Sequence, residues 1–246
     1  MNTIGVIMSK LIKNIIFLLF GCFLVILITP LTAKEFWMAS FYEKHDYKSF
    51  SELPAANQRI DMDDIDYRLL HAAVFYETNR QRALNGRSQL KHSPALEECA
   101  SGYSNDMVKH KFFSHYSHNA GKETVEKRLA AVGIKRAYYG ENITLSFGIE
   151  YIPGKRLYTP EQNGGYFSYT FKGKPILNYT YRGLAIDVVA RWMDSPGHRK
   201  NILDPGFSYL GAGAARYKDR DFVNIDMFKV TQNFSDRKEQ TTANAH

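Results

Sequence analysis

The 246-residue chain is poor in cysteine, with only Cys22 and Cys99. No Cys-x-x-Cys redox pair or cysteine-rich zinc site can be built from it, and an exported domain of this sequence has to be stabilised by its core rather than by disulfides. Other signatures are missing too. No glycine-rich phosphate loop follows a strand, no His-Glu-x-x-His helix occurs, and no Gly-x-Ser-x-Gly elbow occurs, which removes the usual support for nucleotide binding, zincin chemistry and α/β-hydrolase chemistry. Nothing repeats at a fixed period and no stretch is of low complexity. Charge of one sign is not concentrated either. The 32 Lys and Arg against 25 Asp and Glu give +7, scattered along the chain, so the surplus is a solvated surface and not a nucleic-acid groove.

What is present begins with an export signal. Lys10 and Lys13 precede a 14-residue apolar run, Ile15 to Ile28, and Ala33 follows as a small residue at a cleavage position. The run is short beside the roughly 20 apolar residues that span a bilayer. Leu31 is a poor occupant of the position two before the cut. Residues 1–33 are therefore either a cleaved signal peptide or an uncleaved anchor acting through residues 10–33, and both readings place the rest outside the cytoplasm as a secreted or cell-envelope protein. Without residues 1–33 the balance is 30 basic against 25 acidic, +5.

Residues 34–62 mix aromatics with polar residues and read as a tether. Residues 63–235 read as one domain, and 236–246 as a flexible tail. Within the domain, a helix opens near Asp63 or Asp64 and ends at Asn85-Gly86, with Ile65, Leu69, Ala72, Ala73 and Tyr76 at helical spacing. Ser93-Pro94 with Glu97 and Glu98 starts a second helix. Its buried stripe is Leu96, Ala100, Tyr103 and Met107, and Cys99 beside it is a core residue. A short helix follows from Thr124 to Val132. "YYGENITLSF" is extended, "GLAIDVVARWM" is helical, and "YLGAGAARY" with "DFVNIDMFKVTQNF" forms a terminal hairpin across "KDRD". The glycines of "GAGAA" mark close backbone packing. The order of elements implies an α/β fold of packed layers and not a doubly wound sheet.

Three stretches put a titratable side chain at a turn or element end: "FFSHYSH" with His115, "GENI" with Glu141, and "SPGHRKNIL" with His198. Taken singly, each is an ordinary surface residue, as are His110 and His118. In order, "ETNRQRALNG", "LKHSPALEECA", "FFSH", "GENI", "RWMDSPGHRKNIL" and "GAGAA…VTQNF" resemble the CAP superfamily over residues 65–234. That superfamily includes the cysteine-rich secretory proteins, antigen 5 and the pathogenesis-related proteins, and the pattern is that of its bacterial, disulfide-free, SCP-like branch. The resemblance implies an α-β-α sandwich with a central antiparallel sheet and a shallow cleft of two histidines and two glutamates. Motif by motif, these fall on His115, Glu141 and His198. The second glutamate's place falls on Ser195, next to Asp194, an acid of shorter reach.

Two neutral imidazoles, His115 and His198, are suitable ligands for a weakly held zinc or other divalent cation, with Glu141 accepting a hydrogen bond from an imidazole or a bound water. The segment 144–182 exceeds what the family needs between "GENI" and the tryptophan helix. It carries nine aromatics, including Tyr151, Tyr158, Tyr169 and Phe171, and reads as an inserted hairpin either glued to the domain or free to bind a ring or a protein. No nucleophile stands beside a base. The expectation is a non-enzymatic binding module for an envelope lipid, glycan or protein ligand. The alternatives are a metal- or His/Glu-dependent hydrolase and an anchored structural protein of the envelope.

Overall fold

The computed structural model describes residues 39–240, all within one compact unit, Trp37–His246. The apolar run and its cleavage region lie outside these residues. Among the described residues, no helix is long and apolar enough to cross a membrane.

Three short helices open the chain: α1 (Ala39–Lys44), α2 (Tyr47–Glu52) and α3 (Pro54–Asn57). The tether expectation is corrected here. Phe41, Phe50, Ala56 and Ile60 are buried in the main core, because the aromatics that looked like linker decoration pack on the first long helix. That helix, α4 (Tyr67–Leu84), starts later than expected. The Asp61 carboxylate accepts the Asp63 N–H (2.9 Å) and holds a turn, and Asp66 is the cap, accepting from Leu69 N–H (3.0 Å).

The rest follows in order. β1 (Lys91–His92) leads into α5 (Pro94–Lys109), whose cap Ser93 accepts from Leu96 N–H (3.2 Å). Then come α6 (Val125–Ala131), β2 (Tyr139–Phe147), α7 (Pro160–Asn163), α8 (Tyr181–Asp194), α9 (Pro196–Leu203), β3 (Tyr209–Asp219) and β4 (Ile225–Ser235). The sheet order is β1-β3-β4-β2, antiparallel apart from the two-residue parallel pairing of β1 with β3. The β3–β4 loop spans 220–224, later than "KDRD" suggested, with Val223 and Asn224 at positive φ.

Alternation along the strands assigns the layers. Ala212, Ala214, Phe228 and Val230 face α4 and α8, where Leu70, Val74, Leu184, Val188 and Trp192 are almost wholly inaccessible. The opposite face takes α5. A Cβ on Gly211 would sit 2.0 Å from Glu97 N, and one on Gly213 would sit 2.1 Å from Ser101 N, so the helix backbone rests directly on the strand. This is an α-β-α sandwich, as expected, with the backbone contact that "GAGAA" implied.

The inserted segment departs from its reading. Between the end of β2 at Phe147 and the start of α8 at Tyr181 it forms no strand ladder, only isolated bridges (Tyr158 with Ser168, Ser168 with Pro175, Ile149 with Asn178) and the short α7. Gly173 N–H bonding to Thr170 O (2.9 Å) makes the tight turn, but Pro175 lacks the donor a regular hairpin needs. Residues 236–240, read as tail, are tied down by Asp236 N–H to Tyr138 O (3.0 Å) and Gln240 N–H to Gly133 O (3.1 Å).

Candidate functional site

β2 is an edge strand, and the site is built around its free edge. Glu141 points to the α5 face and Asn142 to the α8–α9 face, as neighbours in a strand must. The α5–α6 connection brings His115 over Glu141, with Nδ1 2.8 Å from Oε1. His198 comes from the other side, its ring centroid 6.4 Å from that of His115 and tilted by 46°. Sites far apart in the chain thus share one open place.

Glu141 is fixed from below. Its side chain is 1% exposed and Arg128, 3% exposed, reaches both carboxylate oxygens through one amino group (2.9 and 2.7 Å). The same guanidinium donates to the carbonyls of His115, Lys122 and Glu123 and lies 3.5 Å over the Tyr103 ring. Arg128 therefore ties the carboxylate and the His115 loop into one body. The Asn233 amide, oriented by its neighbours, donates to Glu141 Oε2 (3.2 Å) and accepts from Ala100 N–H (3.3 Å). A carboxylate paired with Arg128 accepts, so His115 donates to Oε1 through Nδ1, and its half-exposed ring keeps Nε2 out of that bond.

His198 is placed differently from the sequence reading. Pro196 is the first residue of α9, so His198 stands in the helix's first turn and not on a separate turn, while Ser195 closes α8 and opens α9. Asn142 Nδ2 donates to His198 O (3.2 Å), and Asn201 Nδ2 donates to Asn142 Oδ1 (2.9 Å) and to the edge carbonyl of Glu141 (3.3 Å). These amides fasten α9 to the strand edge. Burial, assisted by the neighbouring His115 ring, lowers the pKa of His198 and favours the neutral imidazole.

The fourth expected position is not brought into the cluster by any contact. Asp194 is exposed and its carboxylate makes no hydrogen bond or ion pair among the described residues, and the Ser195 hydroxyl makes no cap bond. A family model, "CAP: Cysteine-rich secretory protein family", matches residues 75–234. The chain belongs to the CAP family. Its CAP domain contains no disulfide among the described residues, where Cys99 is buried and free. Burial pushes that thiol up to about 12, which suits a core residue and not a nucleophile.

Two curated relatives come from Bacillus subtilis (strain 168). The uncharacterized protein YkwD is 29% identical over 136 residues, 55% of this chain and 38% of the relative. The uncharacterized membrane protein YlbC is 26% identical over 147 residues, 59% of this chain and 32% of the relative. The matches thus span about a third of the relatives' own length. Among solved structures, an extracellular protein containing a SCP domain from Bacillus anthracis aligns with a TM-score of 0.47 at 23% identity, covering 72% of this chain and 44% of that one. An outer surface protein from Borrelia burgdorferi aligns at 0.43 and 17%, covering 75% and 99%.

The donor set tests the fit of a metal in this CAP cleft. No group of three His, Cys, Asp or Glu side chains among the described residues is arranged to hold an ion. Two imidazoles are available, since Glu141 is already engaged with Arg128. Tetrahedral zinc about 2 Å from each nitrogen would bring the ring centroids to roughly 5 Å. The 6.4 Å observed needs a closure of about 1 Å, within reach of the half-exposed His115 ring. The donors present are thus two imidazoles, fewer than the three of a catalytic zinc centre.

Sequence reasoning missed Arg128, Asn201 and Asn233. One arginine in a short helix has no distinguishing pattern, and its burial follows only from the β2 carboxylate above it. Asn201 and Asn233 were inside quoted motifs, but their spacing could not say that both amides point at β2.

Proposed function

We propose that this CAP domain is an exported, non-enzymatic binding module whose cleft, formed by His115 and His198 above Glu141, takes a ligand of the envelope with a weakly held divalent cation as an accessory. The observation that carries this reading is the Arg128–Glu141 pair. A carboxylate locked in a buried ion pair, and already accepting from His115, is an orienting group and not a free base. His115 and His198 would hold the ion through ring nitrogens not engaged by Glu141. A bound ion would supply positive charge and open positions for ligand oxygens.

The hydrolase alternative has weaker support. It has an oriented His115–Glu141 dyad, but among the described residues no nucleophile is hydrogen-bonded to His115. Export rests on the N-terminal pattern. Mass spectrometry of the mature protein decides whether residues 1–33 stay as an anchor or leave as a signal peptide.

Calorimetry with zinc tests the cleft. Wild type should bind in the micromolar range or weaker, and His115→Ala and His198→Ala should each lose most of the uptake. Equal uptake by wild type and both variants would reject the assignment.

A further inference from the structure

The aromatic segment that follows β2 and the β3–β4 loop meet at the end of the sheet. The Phe222 ring lies 6.0 Å from Tyr151 and 5.7 Å from Phe147, and Ile152 N–H donates to the Tyr169 hydroxyl (2.7 Å). Behind this contact Ile149, Tyr151, Ile225 and Met227 form a small core of their own, which gives the tip a rigid base. Apolar side chains of the loop and the segment are uncovered: Ile152 is 49% exposed, Val223 41% and Phe222 38%, and Phe171, whose ring meets that of Tyr158, is 61% exposed. Large apolar groups clustered in the open mark an interaction surface.

The surplus charge around them is basic. Residues 151–177 contain Lys155, Arg156, Lys172 and Lys174 against the single acid Glu161, and beside Phe222 the chain adds Lys218 and Arg220 balanced by Asp219 and Asp221. Lys155 lies 5.3 Å from the Tyr169 ring centroid, Arg156 5.1 Å from that of Tyr158 and Lys172 5.4 Å from that of Phe171. One face each of Tyr169, Tyr158 and Phe171 thus lies against a cation and is not open to a sugar ring. What stays free is Phe, Ile and Val tips between ammonium and guanidinium heads. Such a surface buries its apolar tips at the acyl boundary while its cations meet anionic headgroups.

We propose that this tip docks on an anionic lipid bilayer, independently of the His115–His198 cleft. The test uses the full chain in vesicles, with Phe171→Trp as reporter and phosphatidylglycerol brominated in its acyl chains as quencher, read as the difference from the unsubstituted chain. Strong quenching in phosphatidylglycerol, little in brominated phosphatidylcholine and a loss at high salt are expected. Adding Lys172→Glu and Lys174→Glu should lower the partitioning of the tip about tenfold or more. Leu84→Trp, 65% exposed at the last residue of α4, should stay unquenched. No quenching in phosphatidylglycerol, equal quenching in both lipids, or indifference to the charge reversals would overturn the proposal. A reporter response to soluble anionic glycan with none to vesicles would overturn it too, and would assign the tip to a glycan.

Discussion

At the scale of single residues, the site depends on a buried charge pair that no binding ligand need touch. Removing one partner of such a pair leaves an uncompensated charge in a dry place, at a cost of about 3–5 kcal/mol. Arg128→Met should therefore lower the unfolding free energy by that amount in a urea titration and weaken zinc uptake at the same time, because the His115 loop loses its tie. The double change Arg128→Met with Glu141→Gln should recover much of the stability but not the uptake. Recovery of both would show that Glu141 does not orient His115.

A second carboxylate cluster sets the acid limit of the fold. Burial alone would raise Glu97, yet hydrogen bonds from His71 (3.3 Å) and His92 (2.6 Å) hold it down at about 2. Tyr42 also donates to it (3.0 Å). Ala214 N–H donates to His71 Nε2 (3.1 Å), so the ring proton of His71 sits on Nδ1 and faces the carboxylate. A depressed carboxylate contributes stability that is fully present above its unfolded value, near 4, and is lost as pH falls towards 2. Denaturation midpoints should drop over that window in wild type, and Glu97→Gln should flatten the drop while lowering stability at pH 7.

At the scale of elements, the helix–sheet contacts decide. Gly213→Ala would drive a methyl into the α5 backbone and should cost about 3 kcal/mol or more. Gly197→Ala, whose new methyl meets nothing within 4 Å, should leave the thermal midpoint nearly unchanged. Equal effects would mean that α5 does not rest on β3 as closely as described. Phe50, 2% exposed and stacked on Tyr76 at 4.5 Å, makes a parallel case for α2. Phe50→Ala should cost about 3–5 kcal/mol, a loss that a mere tether could not produce.

These elements also show how far the sequence could be read. Ser93 and the glycines of "GAGAA" announced themselves because caps and close approaches demand particular residue types. The packing of Phe41 and Phe50 did not, since apolar residues in short helices have no period long enough to separate core from linker. The insertion misled for a related reason: alternating aromatics fit a hairpin, while the bridges actually formed depend on Pro175 and on the sheet end beneath. His115, Glu141 and His198 were legible through the order of their motifs. Arg128 below them was not, because a partner supplied by a separate helix leaves no mark in local spacing.

At the scale of the whole molecule, the sandwich places its chemistry on an unpaired strand edge, where elements from both faces can reach around β2. Among the described residues, the side chains gathered there are two imidazoles above one carboxylate already paired with Arg128. The central question is whether His115, oriented by Glu141, and His198 act on one guest. Imidazole nitrogen NMR of the full chain at neutral pH, with and without zinc, tests this directly. The account predicts His115 as the Nδ1–H form before zinc and perturbation of both rings at the same zinc concentration after it. An Nε2–H form of His115, or a response confined to one ring, would contradict it.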